Sequence, residues 1–186
     1  VAISPEASVA LYSLGRADLL EWATAEIVDW LASAGLIGPG RVAVEIGCGI
    51  GRFMVALAGR GTATLGVDVS PGMLREAARR CRDLAALPVR GGGADLAFIA
   101  DACADLVLAI DSFPYLVEAG VAAAHLAESR RVLKPGGVLV VMNWSYRGDQ
   151  GEANRLAAEA GLRPAACQAP GLRWWDGKTW AFQREG

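Results

Sequence analysis

The sequence predicts an α/β fold, a mostly parallel sheet with intervening helices and a last strand that runs the other way. Three observations carry that expectation. Short apolar runs rich in β-branched residues alternate with helical periods along the chain. The first run, Val42-Ala43-Val44-Glu45-Ile46, leads straight into Gly47, Gly49 and Gly51 and then into an apolar helix. The last two runs are separated only by a segment around Trp175-Asp176-Gly177, too short for a parallel crossover and suited to a hairpin.

The elements follow in order. Residues 1–16 show no sustained period. From Ala17 to Ala34, Leu19, Leu20, Ala23, Ile27, Trp30 and Leu31 share one helical face, with Asp18, Glu21 and Asp29 largely opposite. Gly35 ends this helix, and Gly38-Pro39-Gly40 turns the chain into the first strand, Val42 to Ile46. A helix from Phe53 to Ala58 stops at Gly59, and a second strand, Ala63 to Val67, ends at Asp68. Ser70-Pro71 sets Ser at the N-cap and Pro at the first helical position, starting a helix to about Leu84. Leu87 to Arg90 is a short third strand before Gly91-Gly92-Gly93, and Ala104 to Ile110 is a strong fourth strand ending at Asp111-Ser112. One helix is expected from about Glu118 to Leu133, then a turn at Lys134-Pro135-Gly136-Gly137 into the strand Val138 to Met142. Glu152 to Ala160 is helical, and Ala165 to Leu172 with Lys178 to Gln183 are expected as the closing hairpin.

Bulk properties bound the function. At 186 residues the chain suffices for one domain with a full core, and 53% hydrophobic against 20% charged residues excludes disorder. A net charge of −2 with no run of Lys or Arg gives no electrostatic reason to bind nucleic acid. The apolar runs fall well short of the roughly 18 residues a membrane span requires. Cys48, Cys81, Cys103 and Cys167 form no C-x-x-C, and only one His accompanies them, so neither a metal site nor a disulfide framework is expected. Val1 opens a segment with no basic n-region or long apolar h-region, so a cytoplasmic protein with reduced thiols is expected.

A strand, a glycine turn and a helix place backbone N–H groups and a helix N-terminus at the carboxyl edge of a sheet, where open α/β folds bind nucleotides. The glycines alone leave a dinucleotide, a phosphate and a plain tight turn open. The dinucleotide fingerprint G-x-G-x-x-G is not met, because the third glycine comes one residue early and Arg52 follows it. The Gly-Lys-Ser/Thr of a phosphate loop is absent. Asp68, 21 residues beyond Gly47, stands where a carboxylate accepts bonds from both hydroxyls of a ribose; read locally, it is a helix-start charge beside Ser70. Glu45 is an ionisable residue inside an apolar strand, and a buried carboxylate needs a polar task.

Val44-Glu45-Ile46-Gly47-Cys48-Gly49-Ile50-Gly51 resembles motif I of the class I S-adenosylmethionine-dependent methyltransferases. Gly66-Val67-Asp68-Val69-Ser70-Pro71-Gly72-Met73-Leu74 is similar to the family's second-strand segment, Asp105-Leu106-Val107-Leu108 to its fourth-strand motif, and Arg131-Val132-Leu133-Lys134-Pro135-Gly136-Gly137 to the turn before its fifth strand. The resemblance runs from about residue 36 to the C-terminus. It implies a Rossmann-like three-layer α/β/α sandwich with a seven-stranded sheet in the order 3-2-1-4-5-7-6. Residues 1–35 would then form an N-terminal cap segment and helix, and residues 36–186 the cofactor-binding domain.

Carried onto this chain, the resemblance implies that Gly47, Gly49 and Gly51, with Cys48 between them, let the backbone approach the methionine moiety of S-adenosylmethionine. Glu45 would support the amino-acid end, Asp68 would hold the ribose diol, and Val69 and Met73 would pack on the adenine. One departure stands out. Where the family commonly has Gly-Asp, with the Asp on the adenine amino group, this chain has Gly91-Gly92-Gly93-Ala94-Asp95. Either Asp95 substitutes from a shifted loop beside Gly93 or adenine is read by backbone alone; a lost charge-assisted hydrogen bond costs on the order of 1.5–3 kcal/mol.

Methyl transfer from a sulfonium is an in-line displacement on an activated electrophile, so alignment and exclusion of water carry much of the catalysis. A base matters only where the acceptor must lose a proton. Asp111, after the fourth strand, is the candidate catalytic residue and also a candidate for the cofactor's ammonium; read locally, it is a cap or loop residue. Tyr115, Asn143, Trp144 and Tyr146, past the fourth and fifth strands, and Tyr12 in the N-terminal segment are candidates to line an acceptor pocket. Arg16 can pair an anion there or stay solvated, and His125 reads as structural or exposed. The expected partner is a small-molecule acceptor, with no nucleic acid or membrane, for a monomer or homodimer. A nicotinamide-dependent oxidoreductase shares the first βαβ unit and Asp68, and a cofactor-binding scaffold without turnover shares everything but chemistry.

Overall fold

The computed structural model describes residues 16–146, 150–167, 169, 171–175 and 177–186. Helix α1 (Ala17–Ser33) precedes β1 (Val42–Ile46), α2 (Arg52–Ala58), β2 (Ala63–Asp68), α3 (Pro71–Arg80) and β3 (Ala86–Arg90). Then come β4 (Ala104–Ile110), α4 (Phe113–Glu118), α5 (Ala122–Val132), β5 (Leu133–Met142), α6 (Gln150–Glu159), β6 (Leu162–Pro164) and β7 (Thr179–Arg184). The strands form one seven-stranded sheet in the order β3-β2-β1-β4-β5-β7-β6. All neighbours pair parallel except β5 with β7 and β6 with β7. This is the order and the reversed last strand expected from the sequence.

The two faces of the sheet follow from the period-2 alternation of its central strands. Val107 and Ala109 of β4 with Leu139 and Val141 of β5 point to one face, against Phe113 of α4, Leu126 of α5 and Ala157 of α6. Leu106, Leu108, Val138 and Val140 point to the other, against Ile27 and Leu31 of α1 and Phe53 and Leu57 of α2. Burying each such side chain contributes roughly 1.5–3 kcal/mol. Cys48, Met54 and Cys81 form a smaller cluster that joins the first glycine turn to α2 and α3.

Several boundaries differ from the sequence reading. Ser70 caps α3 as expected, its Oγ accepting from Met73 N, but the helix ends at Arg80 and not near Leu84. The helix expected from about Glu118 to Leu133 is α5, which starts later, at Ala122, and a short helix, α4, that the sequence reading lacked precedes it. Pro114 lies in the first turn of α4, and Gly120, at φ 73°, separates α4 from α5. Lys134–Gly137 is a turn inside β5 and not before it: Ala104 pairs with Leu133 and Leu106 with Val138, so the intervening residues bulge out. Among the described residues of 165–172 there is no strand. The strand that pairs with β7 is β6, three residues directly after Gly161, and the connection between them carries Trp175 into the core. Trp174, one residue earlier, packs on Trp22 of α1 with ring centroids 4.8 Å apart.

Candidate active site

The carboxyl ends of β1, β2, β4 and β5 open onto a cavity of about 830 Å³, within the range of small-molecule sites. Its floor is the turn after β1. Gly47 N and Cys48 N both donate to Val67 O of β2, at 2.7 and 3.0 Å, which folds the turn over the strand end. Gly47 has φ 74°, and a Cβ there would lie 2.4 Å from Ser112 Cβ. Ser112 in turn donates its Oγ to Ile46 O at 2.6 Å, so the β1 and β4 ends meet at the one residue type that allows it. Cys48 and Gly49 also line the cavity. Gly51 does not: at φ 76° it is the N-cap of α2, and a Cβ there would lie 3.2 Å from Ala77 and 3.3 Å from Cys81 Sγ. Its place in the fold is the close approach of α2 and α3.

Asp68 is fastened to the rim by two backbone donors. Gly49 N reaches Oδ2 and Ser70 N reaches Oδ1, each at 2.8 Å. Each oxygen keeps a further lone pair for an outside donor. Val69, Ser70 and Met73 line the adjoining wall; Val69 is exposed. Gly93 and Asp95 line the facing edge, where a Cβ on Gly93 would lie 3.0 Å from Val69 Cγ1. Gly92 does not reach the cavity, and open space surrounds its Cα.

Glu45 is 3% exposed and lines the floor. Its Oε2 is buried without a hydrogen-bond partner. Burial pushes its carboxyl up to about 8, against the pull of the Arg52 guanidinium and with the help of the Asp68 charge. Arg52 carries a buried Nε without a hydrogen-bond partner and is held from α1, donating Nη1 to Thr24 Oγ1 at 2.5 Å. A buried acid and a half-buried base, each with an orphaned polar atom and both lining the cavity, fit a zwitterionic ligand terminus. The same burial, with Glu45 and Asp68 near it, pushes the Cys48 thiol up, so it behaves as a small apolar side chain.

At the far end, Asp111 and Asn143 leave β4 and β5 in left-handed backbone, φ 57° and 66°. Asn143 donates Nδ2 to Asp111 Oδ1 at 2.5 Å. Tyr115 and Tyr146 stand at the mouth, both largely exposed. Partial burial, with Asp111 and Tyr115 near it, pushes the Tyr146 phenol up to about 12, so it stays protonated. Of the other residues named for an acceptor pocket, Trp144 is buried in the core and not in the cavity wall. Its ring stacks on Phe113 at 4.8 Å and its Nε1 donates to Glu152 at 3.1 Å. Tyr12 lies outside the described residues. Arg16 pairs with Asp18 on the surface, away from the cavity lining.

Residues 44–141, more than half of the chain, match the family model described as a methyltransferase domain. The chain belongs to the methyltransferase-domain family. It is 32% identical over 114 residues to the 2-methyl-6-phytyl-1,4-hydroquinone methyltransferase of Synechocystis, a match covering 60% of this chain and 35% of that enzyme. The chain therefore spans about a third of the length of that curated relative. An uncharacterized methyltransferase of Mycolicibacterium gilvum is 30% identical over 183 residues, covering 81% of this chain and 68% of its own. Among solved structures, a TehB-like SAM-dependent methyltransferase of Corynebacterium glutamicum superposes with a TM-score of 0.70 at 21% identity, covering 88% of each chain. That likeness shows the shared fold.

Among the cavity residues of the methyltransferase domain that the sequence did not mark, Arg52, Ser112 and His125 carry polar chemistry. Arg52 was visible there only as the residue that broke a glycine fingerprint. Ser112 is a small polar residue in a loop, and its bond to Ile46 O exists only once β1 and β4 are neighbours. His125 sits among alanines in α5, yet it is buried and reaches the cavity. All four cysteines are free, Cys48 and Cys81 buried, Cys103 and Cys167 half-buried. Among the described residues no helix is long and apolar enough to cross a membrane.

Proposed function

We propose that this chain is an S-adenosylmethionine-dependent methyltransferase acting on a small-molecule acceptor in the cytoplasm. In this reading residues 36–186 are the cofactor-binding domain, with α1 before it; the rest of the expected cap segment, residues 1–15, lies outside the described residues. The observation that carries the reading is Asp68: a carboxylate tied to Gly49 N and Ser70 N on the cavity rim, with lone pairs left for a ribose diol. Glu45, with its orphaned oxygen, and the glycine turn take the amino-acid end; Val69 and Met73 flank the base.

The cofactor supplies a methyl group on a sulfonium centre, already activated for displacement. The chain's own residues bind, align and exclude water. Asp111 serves as the base where the acceptor must lose a proton, oriented by its bond from Asn143. Tyr115 and Tyr146 provide aromatic edges and hydroxyls to position the acceptor. A cavity at one sheet edge suits a small molecule, and a net charge of −2 does not favour nucleic acid. The hydroquinone substrate of the Synechocystis relative makes phenolic acceptors the first to try.

Incubation with methyl-labelled S-adenosylmethionine and a panel of hydroquinones, catechols and small amines tests this. Labelled product together with S-adenosylhomocysteine is expected for one class. Binding without turnover across the panel would favour a cofactor-binding protein without catalysis.

A further inference from the structure

The only histidine in the chain, His125, is 2% exposed in the middle of α5, yet it lines the cavity beside Leu96, Leu116 and Ala119. Its Nδ1 lies 3.2 Å from Val121 O, one turn back. A carbonyl can only accept, so Nδ1 carries the proton, and in the neutral ring Nε2 is an acceptor. Among the described residues no hydrogen bond engages Nε2. Glu128, one turn further on, is already committed: its oxygens take Leu96 N and the Arg131 guanidinium. An acceptor that opens onto the cavity is available to a donor from the ligand.

The same wall belongs to the base end of the site. Arg131 donates to Leu96 O and Ile99 O at 3.0 and 2.8 Å, pinning the segment with Gly93 and Asp95 onto α5. Gly93 lies against Val69, which flanks the base in the proposed site. That segment buries no carboxylate in the wall. Gly92 faces open space, and the exposed Asp95 turns Oδ1 back to Ala97 N at 3.1 Å. Of the side-chain acceptors on this wall, Nε2 of His125 is the one set in a buried residue, whereas Asp95 is exposed at the edge.

We infer that His125 Nε2 accepts a hydrogen bond from the exocyclic 6-amino group of the cofactor's adenine. The inference rests on the cofactor reading above and adds to it a source of base selectivity. A 6-oxopurine would set acceptor against acceptor at this wall and is disfavoured.

A single histidine gives a single pair of ring nitrogen resonances, so the wild-type chain reports on itself. S-Adenosylhomocysteine is expected to move the Nε2 resonance in the direction of a hydrogen-bonded acceptor while Nδ1 stays protonated. Its deaminated analogue, S-inosylhomocysteine, is expected to bind at least about tenfold more weakly, the scale of losing one hydrogen bond and setting acceptor against acceptor. In His125→Phe that preference should fall to about twofold, with the analogue's affinity kept. S-Adenosylhomocysteine that binds without moving Nε2, or a preference that survives in His125→Phe, would overturn the assignment. No binding of S-adenosylhomocysteine to folded wild-type chain would overturn the cofactor reading itself and this inference with it.

Discussion

Asp111 and Asn143 are joined across the ends of β4 and β5 by a 2.5 Å hydrogen bond, and both hold left-handed backbone. Asp111 N also donates to Met142 O, and Asn143 N to Lys178 O, so the main chain fixes the pair from both sides. Two adjacent non-glycine residues in this region carry local strain of order 1 kcal/mol each, less for Asn and Asp than for other types. Such strain is retained where a side chain must be aimed at a site.

The pair makes a prediction that separates aiming from folding. Asn143→Gly removes the strain and the hydrogen bond together and should leave stability within about 1 kcal/mol of wild type. Methyl transfer should nevertheless fall about tenfold or more, because Asp111 loses its orienting donor. Chemical denaturation alongside kcat/KM reads both; unchanged kcat/KM would remove Asp111 from the chemistry.

Glu45 makes a prediction in pH. Its folded carboxyl sits at about 8, raised by burial above an ordinary value of 4.5. The folded chain therefore holds a proton that the unfolded chain has released between these values. Stability from this group is full below about pH 4.5 and is lost as pH rises through about 8, with a slope of at most about 1.4 kcal/mol per pH unit. Denaturation midpoints of unliganded protein should fall across that window, and Glu45→Gln should flatten this part of the profile. A Glu45→Gln profile with the wild-type slope would contradict it.

Gly66 marks the packing beneath the site. A Cβ there would lie 2.2 Å from Met54 Sδ and 2.8 Å from Cys48 Cβ. Gly66→Ala should destabilise by about 1–3 kcal/mol, or roughly 2–4 °C in Tm per kcal/mol for a chain of this size. A thermal melt within a degree of wild type would show that the Met54 cluster yields freely.

Trp144 and the two tyrosines at the mouth should separate cleanly. Trp144→Ala removes a buried ring stacked on Phe113 and should cost about 3–5 kcal/mol of stability. Tyr115→Ala and Tyr146→Ala, at largely exposed positions, should stay within about 0.5–1 kcal/mol and act instead on the acceptor KM. A Trp144→Ala that folds normally and alters KM would return that ring to the pocket wall.

What the sequence disclosed follows the range of the physics involved. The apolar run Ala104–Ile110, the Ser70-Pro71 start and the early third glycine are local signals, and each lies where it was read. Asp68 was legible because it ends β2 at a fixed offset from the glycine turn. The short helix α4 was read as loop, and Gly120 was lost among alanines, so α5 was started about four residues early. Trp144 and Tyr146 are both aromatics just past β5, and nothing in their spacing tells the core ring from the mouth ring. The Trp175-Asp176-Gly177 signal was taken for the hairpin turn, whereas Trp175 is drawn into the core and a longer excursion links β6 to β7. Ser112 and His125 gain their meaning only from neighbours distant in the chain.

Calorimetric titration of S-adenosylhomocysteine into wild-type chain and Asp68→Ala tests the central claim most directly. Saturable one-to-one binding to wild type is expected, weakened about ten- to hundredfold in Asp68→Ala by loss of hydrogen bonds to a charged acceptor. NAD(H) should give no comparable heat. Binding of NAD(H) in place of S-adenosylhomocysteine, or affinity that survives Asp68→Ala unchanged, would contradict the account.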